Sequence, residues 1–171
     1  ILMGRVSRGK ADWDRRVKLA EALNAPVLTS SQDPSSFPTV HPLHLAAPGL
    51  MPSKQSAALV KKADVILSLD WLDLAGFLRG SLGSSQTQSP AAKAIIHCSM
   101  DTYRANGWSM DHQALPAVDV SVASGPDTFV EQLLDGFGPK RSAAGLSSII
   151  HWTRTPSGKA QPRKGVSISL M

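Results

Sequence analysis

The sequence predicts a doubly wound α/β domain, in which a parallel sheet lies between two layers of helices. Short runs of aliphatic and β-branched residues alternate along the chain with segments whose apolar positions recur at three- and four-residue steps. Most of the strand candidates are continuously apolar, which is typical of parallel strands that are buried on both faces. These two observations together indicate a three-layer αβα architecture.

The predicted strands and helices alternate along the chain. Runs of aliphatic residues predict strands at residues 1–3, 25–29, 65–69, 94–98 and 118–122. The last of these alternates valine with polar residues, so we expect it at an edge of the sheet. Helical spacing and capping residues predict helices at residues 12–23, 53–63, 72–78 and 126–137. The third helix is expected to end at Gly80.

The composition fits one ordinary globular domain with an appendage. The chain has 171 residues, of which 42% are hydrophobic and 18% are charged. No apolar run approaches the roughly 18 residues that a membrane-spanning helix needs, and the first residues lack the pattern of a secretory signal. The single cysteine, Cys98, allows no internal disulfide, which favours a reducing compartment and a cytoplasmic location.

Charge divides the chain into two parts. All 13 acidic residues lie at or before Asp135, whereas six of the 18 basic residues lie beyond residue 138. Residues 1–138 therefore have no basic excess, and neither nucleic acid nor a membrane is an expected partner. Residues 139–171 are basic and rich in Pro, Gly and Ser, so we expect a linker toward a further domain. Its one apolar stretch, residues 147–152, could dock on a neighbouring surface.

The first turn after a strand is one candidate binding site, because ligands of doubly wound sheets lie outside the carboxyl ends of the strands. Within residues 4–9, only Gly4 matches a glycine position of a dinucleotide fingerprint. The turn is therefore either purely structural or a phosphate site in which Arg5, Ser7 or Arg8 assists the helix amides.

Two aspartates follow later strands at the same edge. Asp70 and Asp101 could each bind a ribose hydroxyl or cap the turn after its own strand. Trp71, Tyr103 and Trp108 lie near the same edge, where they would either cover a base or pack against the protein.

The remaining reactive residues give weak signals. His41 and His44 are three residues apart in a proline-rich loop, without the cysteines or carboxylates that would complete a metal site. Cys98 lies late in a buried strand, where a free cysteine is usually a small packed side chain. The sequence contains no Gly-x-Ser-x-Gly nucleophile elbow. We therefore name no catalytic residue and no metal ligand.

Five segments follow one another in a characteristic order and spacing. They are GRVSR (residues 4–8), LAEALNAPVLT (19–29), FPTVHPL (37–43), ADVILSLD (63–70) and AKAIIH (92–97). In combination they resemble the central domain of thiamine-diphosphate-dependent enzymes of the acetolactate synthase-like group, over roughly residues 1–138. The resemblance implies a Rossmann-like sheet with the topology of nucleotide- and FAD-binding domains.

The resemblance also implies a longer parent enzyme, a transferase or lyase that acts on carbon–carbon bonds of a 2-keto acid or related substrate. In that family the central domain lies between a pyrimidine-binding and a diphosphate-binding domain, and the intact enzyme is expected to form a homo-oligomer. Thiamine diphosphate and Mg²⁺ belong to the outer domains, where a glutamate and a Gly-Asp-Gly motif hold them. Gly-Asp-Gly is absent here, and the glutamates, Glu21 and Glu131, fall in predicted helices. The chain alone is therefore expected to be inactive.

A nucleotide site in this domain is the remaining question. The resemblance implies that some relatives bind FAD or an adenine nucleotide at the sheet edge, whereas others have lost the ligand. Two departures favour loss: arginines crowd the first turn, and Asp70-Trp71 stands where flavin binders tend to have Gly-x-Arg-Phe. A stand-alone nucleotide- or FAD-binding module, such as an electron-transfer flavoprotein-like domain, is the alternative. In either case the candidate binding residues are Gly4, Arg5, Ser7, Arg8, Phe37, Asp70 and Asp101.

Overall fold

The computed structural model describes residues 1–49, 51–83, 93–101 and 117–137. They contain five strands, which are β1 (Leu2–Met3), β2 (Leu28–Thr29), β3 (Val65–Leu69), β4 (Ala94–Cys98) and β5 (Val120–Val122). All the strand pairs are parallel, and the strand order is β2-β1-β3-β4-β5. The predicted doubly wound sheet is confirmed, and β5 lies at an edge as its alternating sequence indicated.

The helices cover both faces of the sheet. They are α1 (Lys10–Leu23), α2 (Lys54–Lys62), α3 (Leu74–Leu82) and α4 (Pro126–Phe137). Leu2 and Ile66 point to the face that α2 and α3 cover, whereas Met3 and Leu67 point to the face that α1 and α4 cover. The strands thus contribute alternate side chains to two separate cores, because neighbouring residues in a strand face opposite ways. This arrangement gives the three layers that the sequence predicted.

The third helix extends beyond its predicted end. It spans Leu74–Leu82 rather than residues 72–78, and Gly80 lies inside it. The Asp73 side chain accepts a hydrogen bond from the amide of Gly76 and fixes the start. A Cβ at Gly80 would lie 2.8 Å from Cγ of Pro52, so glycine here allows the helix to pack on the chain before α2. The helix ends instead at Gly83, whose φ of 93° favours glycine.

The second helix is held at both ends by side chains. Ser53 accepts from the amide of Ser56, as its place before the helix predicted. At the other end Lys93 donates to the carbonyls of Lys61 (2.6 Å) and Ala63 (2.5 Å). Burial lowers the pKa of Lys93, and the nearby charge of Asp64 opposes that effect. Lys93 thereby connects the helix end to the start of β4.

Some expectations concern residues outside the described ranges. Tyr103, Trp108, the proposed linker 139–171 and its apolar stretch 147–152 all fall there. Within the described ranges, no helix has the length and apolar character required to cross a membrane.

Candidate functional site

The carboxyl ends of four adjacent strands bring five polar side chains to one edge of the sheet. Because these strands are parallel, the residues that follow them meet there. We call this group the edge cluster, and its members are Arg5 after β1, Asp33 after β2, Asp70 after β3, and Ser99 and Asp101 after β4. It includes Arg5, Asp70 and Asp101, three of the binding residues that the sequence predicted.

Arg5 joins two carboxylates of the edge cluster. Its Nη2 donates to Oδ1 of Asp70 at 2.8 Å and to Oδ2 of Asp101. Burial disfavours the charge of Arg5, but the hydrogen bonds and charges of Asp101 and Asp70 outweigh burial and hold its pKa above the usual value. The guanidinium is thus neutralised by the chain itself.

Asp70 adopts a backbone conformation that is rare for a residue with a side chain. Its φ is 54°, in the left-handed region, which asparagine and aspartate tolerate better than most residues. Its amide donates to the carbonyl of Cys98, and its Oδ1 accepts from the Ser99 hydroxyl at 2.5 Å and from Arg5. These contacts hold the carboxylate against the ends of β1 and β4. Asp70 therefore stabilises the turn that follows its own strand.

Gly4 is required by the approach of two backbones. A Cβ at this position would lie 2.3 Å from the carbonyl oxygen of Asp70 and 2.6 Å from Cα of Trp71. The amide of Gly4 donates to Leu69 and that of Arg5 donates to Asp70, which extends the pairing of β1 with β3. The packing of the sheet therefore accounts for this glycine without a ligand. Trp71 itself is buried and packs on Phe77, with ring centroids 4.6 Å apart.

The polar groups of the first turn are paired with the protein's own carboxylates. The amide of Ser7 donates to Oδ2 of Asp127 at 2.7 Å, and its hydroxyl donates to Oδ2 of Asp12 at 2.6 Å. The hydrogen bond from Ser7 is the main cause that lowers the pKa of Asp12, and Arg15 contributes further. Arg8, by contrast, has an exposed side chain. The turn thus presents an occupied donor set rather than an open phosphate site.

Arg16 organises this turn from the protein interior, and the sequence reasoning missed it. The residue is 0% exposed, although it is an arginine. It donates to the carbonyls of Ser7 (2.9 Å) and Ser36 (3.1 Å) and to Oδ1 of Asp127. The available signal was its place on the inward face of α1, three residues after Trp13 and four before Ala20, where an unpaired charge would be costly.

Asp33 is a second residue that sequence reasoning missed. Among the described residues its Oδ2 is buried without a hydrogen-bond partner. Burial raises the pKa of Asp33, the charge of Arg5 opposes this effect, and the charge of Asp70 adds to it. No local pattern marked this residue, because it lies in an irregular segment after β2.

Phe37, the last predicted binding residue, lies in the core. It is 2% exposed and contacts the rings of His41, edge-on at 5.2 Å, and His44, stacked at 6.4 Å. His44 also pairs with the hydroxyl of Thr29 at 2.9 Å, and His41 lies 3.3 Å from a carboxylate oxygen of Glu21. Among the described residues no group of three potential ligands could hold a metal ion. The two histidines therefore brace the loop after β2.

Cys98 is a packed side chain, as its place in the strand predicted. It is fully buried, and its thiol lies 3.3 Å from the carbonyl of Ser124. Burial and the charge of Asp70 raise its pKa to about 11. At neutral pH this thiol is therefore protonated and unsuited to nucleophilic chemistry.

The fold and the strand-end geometry define a class that comparison with known proteins makes explicit. Residues 1–133 match the family described as thiamine pyrophosphate enzyme, central domain, and the chain belongs to that family. A particular relative is the sulfoacetaldehyde acetyltransferase of Roseovarius nubinhibens, which is 46% identical over 52 residues. That match covers 30% of this chain and only 9% of the relative. The prediction of a central domain of a thiamine-diphosphate-dependent enzyme is confirmed, and thiamine diphosphate is the cofactor that this family implies.

The residues of this chain do not fit thiamine diphosphate itself. The family resemblance implies an activating glutamate, and the two glutamates lie on helices, Glu21 with a carboxylate oxygen 3.3 Å from Nε2 of His41 and Glu131 in an ion pair with Arg15. Both side chains are about half exposed, at 57% and 49%, and neither belongs to the edge cluster. We therefore derive no chemical step through that cofactor in this domain.

Proposed function

We propose that this chain is the central domain of a thiamine-diphosphate-dependent enzyme of the acetolactate synthase-like group, acting on a 2-keto acid or related substrate. The domain carries no catalytic residue of its own. Pyrimidine-binding and diphosphate-binding domains flank it in the parent enzyme, which is a homo-oligomer with Mg²⁺ in the last domain, and residues 139–171 link to that domain. The name of the relative, an acetyltransferase, supports a transferase rather than a lyase.

We further propose that the domain is a structural spacer whose nucleotide edge is closed by its own side chains. The observation that carries this proposal is the position of Arg5 between Asp70 and Asp101. With Asp33 nearby, the edge cluster contains one cation and three carboxylates, so its net charge repels a pyrophosphate. A nucleotide would have to compete with Asp70 and Asp101 for the guanidinium.

Titration of the 171-residue chain with FAD and with ADP tests the spacer function. The purified chain should be colourless and should give no binding heat with either nucleotide. The alternative, a stand-alone nucleotide-binding module, predicts a dissociation constant in the micromolar range or below, about −8 kcal/mol or better.

The variant Arg5→Gln is the matched control for this titration. It removes the positive charge of the guanidinium from the edge and leaves a shorter, neutral polar side chain. Micromolar binding that Arg5→Gln weakens would place a nucleotide at this edge and would contradict the spacer function. Binding that Arg5→Gln leaves unchanged would place the ligand elsewhere, and the description of this edge as closed would stand.

A further inference from the structure

The first turn after β1 already holds an anion, and that anion belongs to the chain. The carboxylate of Asp127, at the start of α4, accepts from the Ser7 amide at 2.7 Å and from the guanidinium of Arg16. Asp127 lies 120 residues after Ser7 and 111 after Arg16, so the contact is tertiary. One main-chain donor and one fully buried cation are the groups that an oxyanion site in a protein provides.

The cation of this site is fixed independently of the carboxylate. Arg16 also donates to the carbonyls of Ser7 and Ser36, which hold its guanidinium at the base of the turn. Its burial is complete, whereas the Asp127 side chain is 18% exposed. Removal of the carboxylate would therefore leave a preformed, positively charged site that is close to solvent.

The position of the site is the one at which doubly wound domains bind phosphate. Ser7 lies between the end of β1 and the start of α1, where main-chain amides and the helix dipole favour an anion. At Gly9, the residue that precedes α1, no side chain caps the helix. The electrostatic requirement of this turn for an anion is thus met by the chain's own carboxylates, Asp12 in the first turn of α1 and Asp127 from α4.

We propose that Asp127 is an internal replacement for a bound phosphate, and that an oxyanion site built from Ser7 and Arg16 lies beneath it. This inference rests on the proposed spacer function, in which the domain has no nucleotide. The ligand class is a small oxyanion, either a carboxylate or inorganic phosphate, and it binds only when the Asp127 carboxylate is absent.

Chemical rescue of Asp127→Ala in the 171-residue chain tests the proposal. The substitution leaves the buried charge of Arg16 without its carboxylate counter-ion, and we expect the melting temperature to fall by roughly 10 °C. Sodium formate and sodium phosphate, each on the order of 0.1 M, should raise it by several degrees more than sodium chloride of equal ionic strength. Wild-type protein gives the general effect of each salt, including the stabilisation by a kosmotropic anion such as phosphate, and rescue is the additional rise in Asp127→Ala.

Two control variants separate rescue from a general salt effect. Asp135→Ala removes an exposed carboxylate from the same helix and should show no preference for formate or phosphate beyond that of the wild type. The double variant Arg16→Met/Asp127→Ala lacks the guanidinium and should also show none. If Asp127→Ala is insoluble, it can be refolded from urea. The refolding yield in sodium formate is then compared with the yield in sodium chloride.

The outcomes divide cleanly. Rescue by both formate and phosphate supports the proposal, whereas equal effects of formate, phosphate and chloride overturn it. Rescue by formate alone would show that the site is too small for phosphate. It would overturn the proposal that Asp127 replaces a bound phosphate. FAD binding to the wild-type chain would instead contradict the spacer function, and the rescue result would still report on the Asp127 site.

Discussion

Gly4→Ala tests how closely the backbone after β1 approaches the backbone after β3 at the candidate edge. The added Cβ would lie 2.3 Å from the carbonyl oxygen of Asp70 and 2.6 Å from Cα of Trp71. Both are backbone atoms, so the clash can be relieved only by separating β1 from β3. The φ of Gly4 is not positive, so the substitution introduces steric conflict without backbone strain at the glycine itself.

The magnitude follows from two contributions. Overpacking of a tight contact costs about 1–3 kcal/mol. The separation also lengthens the hydrogen bonds from the amides of Gly4 (3.0 Å) and Arg5 (3.1 Å), each of which contributes about 0.5–1.5 kcal/mol. We therefore expect a loss of about 3 kcal/mol in the free energy of unfolding and a melting temperature lower by roughly 10 °C.

Urea unfolding and thermal melts monitored by circular dichroism measure this loss. Gly136→Ala is the matched control, because Gly136 lies inside α4 and a Cβ there would meet nothing within 4 Å. This control should gain up to about 1 kcal/mol from helix propensity. If Gly4→Ala melts within about 2 °C of the wild type, the close approach of the two backbones is not the reason that position 4 needs a glycine.

Two further predictions concern titratable groups whose pKa is shifted by burial, the buried Cys98 and the partly buried His44. Burial raises the pKa of the Cys98 thiol to about 11. This thiol should therefore resist a disulfide reagent at pH 8 and react only after denaturation. Rapid labelling of the folded chain would contradict its burial. Burial lowers the pKa of His44, so its contribution to stability is fully present above about pH 6.5 and decreases as the pH falls toward the folded-state pKa. Between pH 7.5 and pH 5.5, wild type should therefore lose more stability than His44→Gln, and equal losses would refute this assignment.

The elements of the fold were predictable because their signals are local. Continuous apolar strands and helical spacing identified the sheet and its helices in the correct order. Helix boundaries were less predictable, and α3 shows why. Gly80 reads as a stop signal in the sequence, yet its missing side chain accommodates Pro52 from another segment, and Gly83 ends the helix instead. A glycine that serves packing and one that ends a helix look the same in a sequence.

The candidate site was predictable only in part, for a related reason. Topology alone placed Arg5, Asp70 and Asp101 at one edge, because parallel strands end together. It could not show that these residues pair with one another rather than with a ligand. Arg16 and Asp127 are 111 positions apart, so their pairing depends on how α4 packs against α1 and leaves no local signal.

In the proposed spacer function, two arginine networks occupy the strand-end edge with the chain's own carboxylates and keep both cations there. Arg5 is paired with the carboxylates that follow β3 and β4, whereas Arg16 is paired with the carboxylate that opens α4. A ligand phosphate at the first turn would have to take the place of Asp127 on a fully buried guanidinium, with which the phosphate would itself pair. The carboxylate of Asp127 therefore competes directly with such a ligand, and it has the advantage that it is already ordered as part of the chain. In the proposed spacer function this competition disfavours a nucleotide, while Arg5 links the ends of β1, β3 and β4 through Asp70 and Asp101.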